Sequence, residues 1–277
     1  MPWDRKRMPA NERGIGLVGC GTLGRAVLRS VSERRLPVTI SGITSRDEAK
    51  ARAFLDTLRQ APPYLELPEL IDRSSLIVEA AGGAVVPGLA RHVIAAGKDL
   101  MLISVGALLD HPDLFDEARR RGCRLLIPSG AIAGLDGIKS ACEGRVERVT
   151  MTTRKPPEAL EGAPYLKERG ISLAGLTEEF EVFRGSAREA CRGFPANVNV
   201  SAAVSLAGIG PDRTEVRILA VPGLKRNSHD VEVIGEFGEL GISIRNVPTE
   251  NPRTGKLTAL SIIRTIREAF DTVRVGT

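Results

Sequence analysis

Six residues near the start of the chain, Gly19-Cys20-Gly21-Thr22-Leu23-Gly24, have the types and spacing for nucleotide chemistry. They follow a short apolar run, Gly14 to Val18, and open a helical pattern with Leu23, Ala26, Val27 and Val31 on one face. In a chain with 29 glycines the spacing alone says little. Its place between a strand and an amphipathic helix makes it a dinucleotide turn. Gly19 permits the tight turn, Gly21 lets backbone approach a pyrophosphate, and Gly24 lets the helix lie close to the strand. The N–H groups at the helix start, around Thr22 and Leu23, then face the phosphates. The plain alternative is an ordinary glycine-rich turn between strand and helix.

The next strand, Val38 to Ile43, ends at Thr44-Ser45-Arg46-Asp47, about twenty residues past the last glycine, where an acid would hold the ribose hydroxyls of NAD. Ser45 occupies the acid position and Arg46 follows it, a hydroxyl and a guanidinium suited to the 2′-phosphate of NADP. Asp47 comes slightly late but can still turn in, so NADP or use of both cofactors is expected. Two further strand–helix units follow, from Ser75 to Ala81 and from Leu100 to Gly106, each leading into a helix. This alternation predicts a Rossmann domain, an α/β fold with a doubly wound parallel sheet. Ala81, Gly82, Ser104 and Gly106 then lie at its carboxyl edge, where a cofactor extends its nicotinamide.

Beyond Pro128 the pattern changes. A small-residue segment, Ser129 to Gly137, precedes strands at Arg145–Thr153, Thr214–Val221 and Val231–Phe237 that do not take turns with long helices. They predict a second, α+β domain with an open, mainly antiparallel sheet. The organisation read from sequence is a tail over 1–13, a dinucleotide-binding domain over 14–127, a catalytic domain over 128–254 and a final segment over 255–277. In that last segment Leu260, Ile263, Ile266 and Phe270 stand at helical spacing.

Composition narrows the function. Apolar residues at 42% and charged residues at 26% describe a globular chain long enough to bury a core. The net charge of +5 suits an acidic small substrate. Nucleic acid is not expected as a partner, because the basic residues are scattered among 34 acids and aromatics are only 4%. No apolar run is long enough for a membrane span, and the first thirteen residues hold no signal-like core, so the expected location is the cytoplasm. Cys20, Cys123, Cys142 and Cys191 have neither disulfide-framework nor metal spacing, so no metal site is predicted. Three histidines, His92, His111 and His229, limit the choice of a general base. His92 in a helix and His111 before a proline read as surface or packing residues.

Seven segments in order resemble the L-aspartate dehydrogenase family, across nearly the whole chain from Gly14 to Phe270. They are Ile103-Ser-Val-Gly-Ala-Leu108, Pro128-Ser-Gly-Ala-Ile-Ala-Gly-Leu-Asp136, Thr152-Thr-Arg-Lys-Pro-Pro157, Gly185-Ser-Ala-Arg-Glu-Ala190, Phe194-Pro-Ala-Asn-Val-Asn-Val200, Asn227-Ser-His229 and Asn251-Pro-Arg-Thr-Gly255. The resemblance implies a Rossmann domain, a catalytic domain similar to that of homoserine dehydrogenase, and a final helix returning to the first domain. It also implies a cytoplasmic homodimer using NAD or NADP on L-aspartate, supplying iminoaspartate for NAD synthesis. By position, His229 matches the family's active-site histidine, and Ala133 and Asn199 match cofactor contacts near the nicotinamide ribose. One departure is Val221-Pro222, where Asp-Pro is expected ahead of the Asn-x-His motif.

Oxidation of an α-amino acid needs a group that cycles between base and acid, the role expected of His229, with Asn227 two residues earlier. A substrate with two carboxylates needs compensating donors. Lys155 and Arg154 at one strand end, and Lys225 and Arg226 ahead of the Asn-x-His motif, are the candidates, each equally readable as a surface cation. Asn197 and Asn199 begin a helix-like run, so Asn197 is a substrate-contact candidate or only a helix cap. Two other functions compete: reduction of another small imine or aldehyde on the same scaffold, and a dinucleotide-binding protein without turnover.

Overall fold

The apolar run at the start forms a strand, β1 (Gly14–Val18), whose Ile15 and Leu17 are fully buried. The computed structural model describes residues 14–195, 199–247, 256–273 and 275–276. Their contacts divide them into two units, the first taking residues 14–103, 113–126 and 263–272 and the second the remainder. The segment 104–112, read from sequence as part of the dinucleotide-binding domain, clusters with the second unit.

In the first unit, β1 is followed by α1 (Thr22–Ser32), β2 (Thr39–Thr44), α2 (Glu48–Leu55), α3 (Leu67–Asp72), β3 (Leu76–Glu79), α4 (Val86–Ala95), β4 (Asp99–Leu102), α5 (Pro112–Arg121) and β5 (Leu125–Leu126). The sheet order is β2-β1-β3-β4-β5 and every pair is parallel. Leu76, Ile77 and Val78 are buried in succession, as in strands covered on both faces. The stripe that α1 buries is Gly24, Val27 and Leu28, turned from the expected Leu23, Ala26, Val27 and Val31. The shift follows from Gly24, whose missing side chain lets the helix lie against the turn that precedes it.

The second unit carries α6 (Leu135–Ala141), β6 (Val146–Lys155), α7 (Pro157–Leu160), α8 (Pro164–Glu168), β7 (Phe180–Ser186), α9 (Ala187–Gly193), α10 (Asn199–Ala207), β8 (Glu215–Ala220), β9 (Asn227–Gly235) and β10 (Gly238–Asn246). The sheet order is β10-β9-β6-β8-β7. The β6–β8 pair is parallel and the other three are antiparallel, so the sheet is mixed but mainly antiparallel. β7 and β10 lie beyond the three strands expected from sequence. In β10 Leu240, Ile242 and Ile244 alternate with exposed Gly241 and Ser243, and none of the three apolar residues is fully buried.

The last helix, α11 (Lys256–Phe270), spans the division between units. Its fully buried residues are Ile262 and Ile266, one turn apart, whereas Leu260, expected on the apolar stripe, is 57% exposed. Within the first unit the Arg267 guanidinium donates to the Arg35 carbonyl. No helix among the described residues is long and apolar enough to cross a membrane.

Candidate active site

In the first unit the topological switch falls between β1 and β3, because the chain leaves β2 on one side of β1 and returns as β3 on the other. Open α/β sheets bind ligands at that point, outside the carboxyl ends of the strands. A cavity of about 680 Å³ lies there, lined by Gly19, Gly21, Ser45, Arg46 and Ala81 among others. Gly19 has φ +108°, and a Cβ on it would stand 2.5 Å from the Ala80 carbonyl oxygen, so both its conformation and its neighbour demand glycine. A Cβ on Gly24 would meet the Gly19 carbonyl oxygen at 2.1 Å, which fixes how α1 leaves the turn. At Gly21 a Cβ would meet nothing within 4 Å, and no side chain caps the helix there. The open N-terminus, the bare backbone and the cavity volume fit a dinucleotide pyrophosphate. Thr22 and Leu23 form the first helical turn behind this lining.

Glu79, at the end of β3, carries the least expected interaction of this region. It is fully buried; one carboxylate oxygen accepts from the N–H groups of Ala81 and Gly82, both at 2.8 Å, and the other accepts from Ile103 N–H at 3.2 Å. A single acid therefore ties together the loops after β3 and β4, and its only trace in sequence is an acid closing an apolar strand before two glycines.

At the end of β2, Ser45 and Arg46 line the cavity, and the Asp47 side chain accepts from Lys50 N–H at 3.0 Å as the cap of α2. Asp47 also lines the cavity, and the cap uses one of its two carboxylate oxygens. His92 is an exposed helix residue, as expected, and it borders the cavity with Nδ1 2.8 Å from the Gly88 carbonyl.

Ser104 and Gly106 group with the second unit, as do Ala133 and Asn199. Gly106 N–H donates to the Asn199 side-chain oxygen at 3.2 Å, joining two residues predicted independently. Ala133 is exposed, and Asn197 lies outside the described residues.

The second unit's polar centre arises from strand alternation. On β9, Asn227, His229, Val231 and Val233 are buried in turn, and on β6 Val149, Met151, Thr153 and Lys155 are. His229 therefore sits within a strand, not between two strands as expected, because β9 begins at Asn227. Thr153 and His229 are register partners, so apolar side chains give way at one end of this face to four polar ones. Thr153 Oγ1 lies 3.1 Å from His229 Nδ1, a contact that does not involve Nε2. Burial, and then the Lys155 charge, push the His229 pKa down to about 3 against the opposing pull of Asp230. The ring is neutral at pH 7.

The four candidate cations separate. Lys155 is 2% exposed and on the His229 face. Arg154 points to the other face, paired with Asp230 at 2.5 Å and Glu179 at 3.4 Å. Lys225 and Arg226 are exposed ahead of β9.

Thr153 went unnoticed in the sequence because the residue it holds is 76 positions away. Replacing it by Val keeps the shape and removes the hydroxyl. We expect Thr153→Val to lower kcat about tenfold and alter the kcat–pH profile, with Ser restoring both, since one oriented hydrogen bond contributes about 1 kcal/mol. An unchanged profile in steady-state assays would remove Thr153 from the site.

The fold and the glycine turn define a dinucleotide-binding protein of two units. Residues 19–128 match the family "Homoserine dehydrogenase, NAD binding domain", and residues 136–269 match "Aspartate dehydrogenase, C-terminal". L-aspartate dehydrogenase 3 of Bordetella bronchiseptica is 42% identical over 267 residues, 96% of this chain and 98% of that protein. The L-aspartate dehydrogenase of Methanosarcina mazei is 42% identical over 268 residues, covering 95% and 99%. The crystal structure of aspartate dehydrogenase from Thermotoga maritima superposes with a TM-score of 0.70 at 25% identity, covering 95% and 99%. This chain belongs to the L-aspartate dehydrogenase family.

Proposed function

We propose that this protein oxidises L-aspartate to iminoaspartate, which water converts to oxaloacetate and ammonia, using NADP or NAD. The observation that carries the reading is the buried face on which Lys155, Thr153, His229 and Asn227 follow an apolar run. A dicarboxylate needs a fixed cation, and an amine losing its proton needs a neutral base; Lys155 and His229 supply one of each.

The dinucleotide, when bound, supplies the nicotinamide that accepts hydride from the substrate Cα. In the first unit the backbone from Gly19 to Gly24 holds its pyrophosphate, and Glu79 fixes the loop at Ala81 and Gly82. In the second unit the Lys155 ammonium binds a substrate carboxylate. That carboxylate offsets the positive charge acting on His229, so its pKa rises when substrate arrives. His229 Nε2 takes the proton of the amine and returns it during hydrolysis of the imine. Asn227, 5% exposed on the same face, orients the substrate. Ser104, Gly106, Ala133 and Asn199 serve the nicotinamide end, and Asn197 and Lys225 are secondary substrate contacts.

Support for NADP comes from Ser45 and Arg46 at the cavity. The family resemblance extends the reading to a cytoplasmic homodimer that supplies iminoaspartate for NAD synthesis. The deciding experiment follows reduced cofactor at 340 nm with L-aspartate at alkaline pH, with NAD and NADP separately, beside L-glutamate and L-homoserine. Aspartate-dependent reduction is expected. Reduction only with another substrate, or cofactor binding without turnover, would sink the assignment.

A further inference from the structure

Behind the turn after β2 stands Tyr64, and a single hydroxyl on it satisfies both polar groups of one residue's backbone. Its O–H donates to the Ser45 carbonyl at 2.6 Å, and its oxygen accepts from Ser45 N–H at 3.3 Å. The ring is itself held. Tyr64 forms a parallel bridge with Ile43, flanked by Ile43 N–H to the Pro63 carbonyl and Leu65 N–H to the Ile43 carbonyl, each 2.9 Å. The Arg52 guanidinium lies 5.0 Å from the ring centroid and is tied to Glu48 at 2.7 Å, so Arg52 and Glu48 are both occupied.

Four polar residues stand at this end of the cavity. Ser45, Arg46, Asp47 and Lys50 all line it. With its backbone held by Tyr64, Ser45 needs no side-chain turn of its own. One Asp47 carboxylate oxygen accepts from Lys50 N–H, which sets the first turn of α2 with Lys50 among the residues of the cavity wall. A hydroxyl and two cations around one corner match a phosphomonoester, which carries close to two negative charges and accepts several hydrogen bonds. A pair of ribose hydroxyls offers them far less.

We propose that Lys50 is the second cation for the ribose 2′-phosphate of the cofactor and that Tyr64 is the positioning residue that keeps Ser45 and Arg46 turned toward it. The inference rests on the NADP reading given above. Tyr64 acts through the turn and touches no ligand.

The test is direct binding, read from the fluorescence of NADPH and NADH titrated separately with the folded protein, without turnover. Wild type is expected to bind NADPH at least as tightly as NADH. Lys50→Met should weaken NADPH about tenfold and leave NADH within about twofold, and Lys50→Arg should restore NADPH, as loss of one charge-assisted hydrogen bond requires. Tyr64→Phe keeps the ring and its stacking. It should weaken NADPH about threefold more than NADH, because the unclamped turn spreads its donors over more conformations. Equal loss for both cofactors, or no loss in Lys50→Met, overturns the assignment while leaving NADP use standing. A wild type that binds NADH and not NADPH overturns the NADP reading and this inference together.

Discussion

His229→Asn is expected to lower kcat for L-aspartate by about a thousandfold while the Kd for cofactor stays within about twofold. The separation follows from placement, since the dinucleotide turn belongs to the first unit and His229 to the sheet of the second. Asn retains a polar atom near the position of Nδ1, so Thr153 keeps a partner and the strand its buried hydrogen bond. What disappears is the nitrogen that exchanges protons with substrate. In the wild type, an imidazole pushed down to about 3 is already neutral in the free enzyme above pH 5, so kcat/KM should show no acid limb from it there. The limb should emerge in kcat, where bound carboxylate has raised the pKa. Rapid-mixing and steady-state assays across pH would decide the point. A His229→Asn enzyme retaining a tenth of wild-type kcat would sink the acid–base role.

Lys155→Met should raise the KM for L-aspartate about a hundredfold, the equivalent of about 3 kcal/mol for a charge-assisted contact in a buried site. Met follows the same path through the strand face without the ammonium. The substitution also removes the second of the two causes holding His229 down, so the His229 pKa must rise in the free enzyme. Histidine proton chemical shifts followed through a pH titration would report this without substrate. A raised KM with an unmoved His229 would mean that Lys155 binds substrate and does not tune the base. An unmoved KM would return the carboxylate-binding role to another residue.

The dinucleotide half of the molecule was open to reading because its constraints are local. Gly19, Gly21 and Gly24 act within one turn, and strand–helix alternation fixes a parallel sheet without knowledge of distant partners. The polar face of the second unit depends on register. Nothing near Thr153 or Lys155 announces that they lie opposite or beside His229, and Arg154, adjacent to Lys155, points the other way. Single-position alternation decided between two cations that composition treats alike. Scarcity and family likeness single out His229, but its polar neighbours mask the start of β9, so the sequence pattern does not place it inside a strand. Glu79 and Tyr64 escaped notice for a related reason: each acts on backbone groups brought close only by the fold.

The depressed His229 pKa has a consequence beyond the reaction. An unfolded chain holds this histidine near 6.5, the folded one near 3, so between those values unfolding takes up a proton. Folded stability at this residue is therefore complete above about pH 6.5 and falls as the solution is acidified, by up to about 1.4 kcal/mol for each pH unit, levelling off near pH 3. Proton uptake on unfolding and neutrality of the base at work are one property seen from two sides. Acid therefore acts on the second sheet at the imidazole buried where β9 pairs with β6.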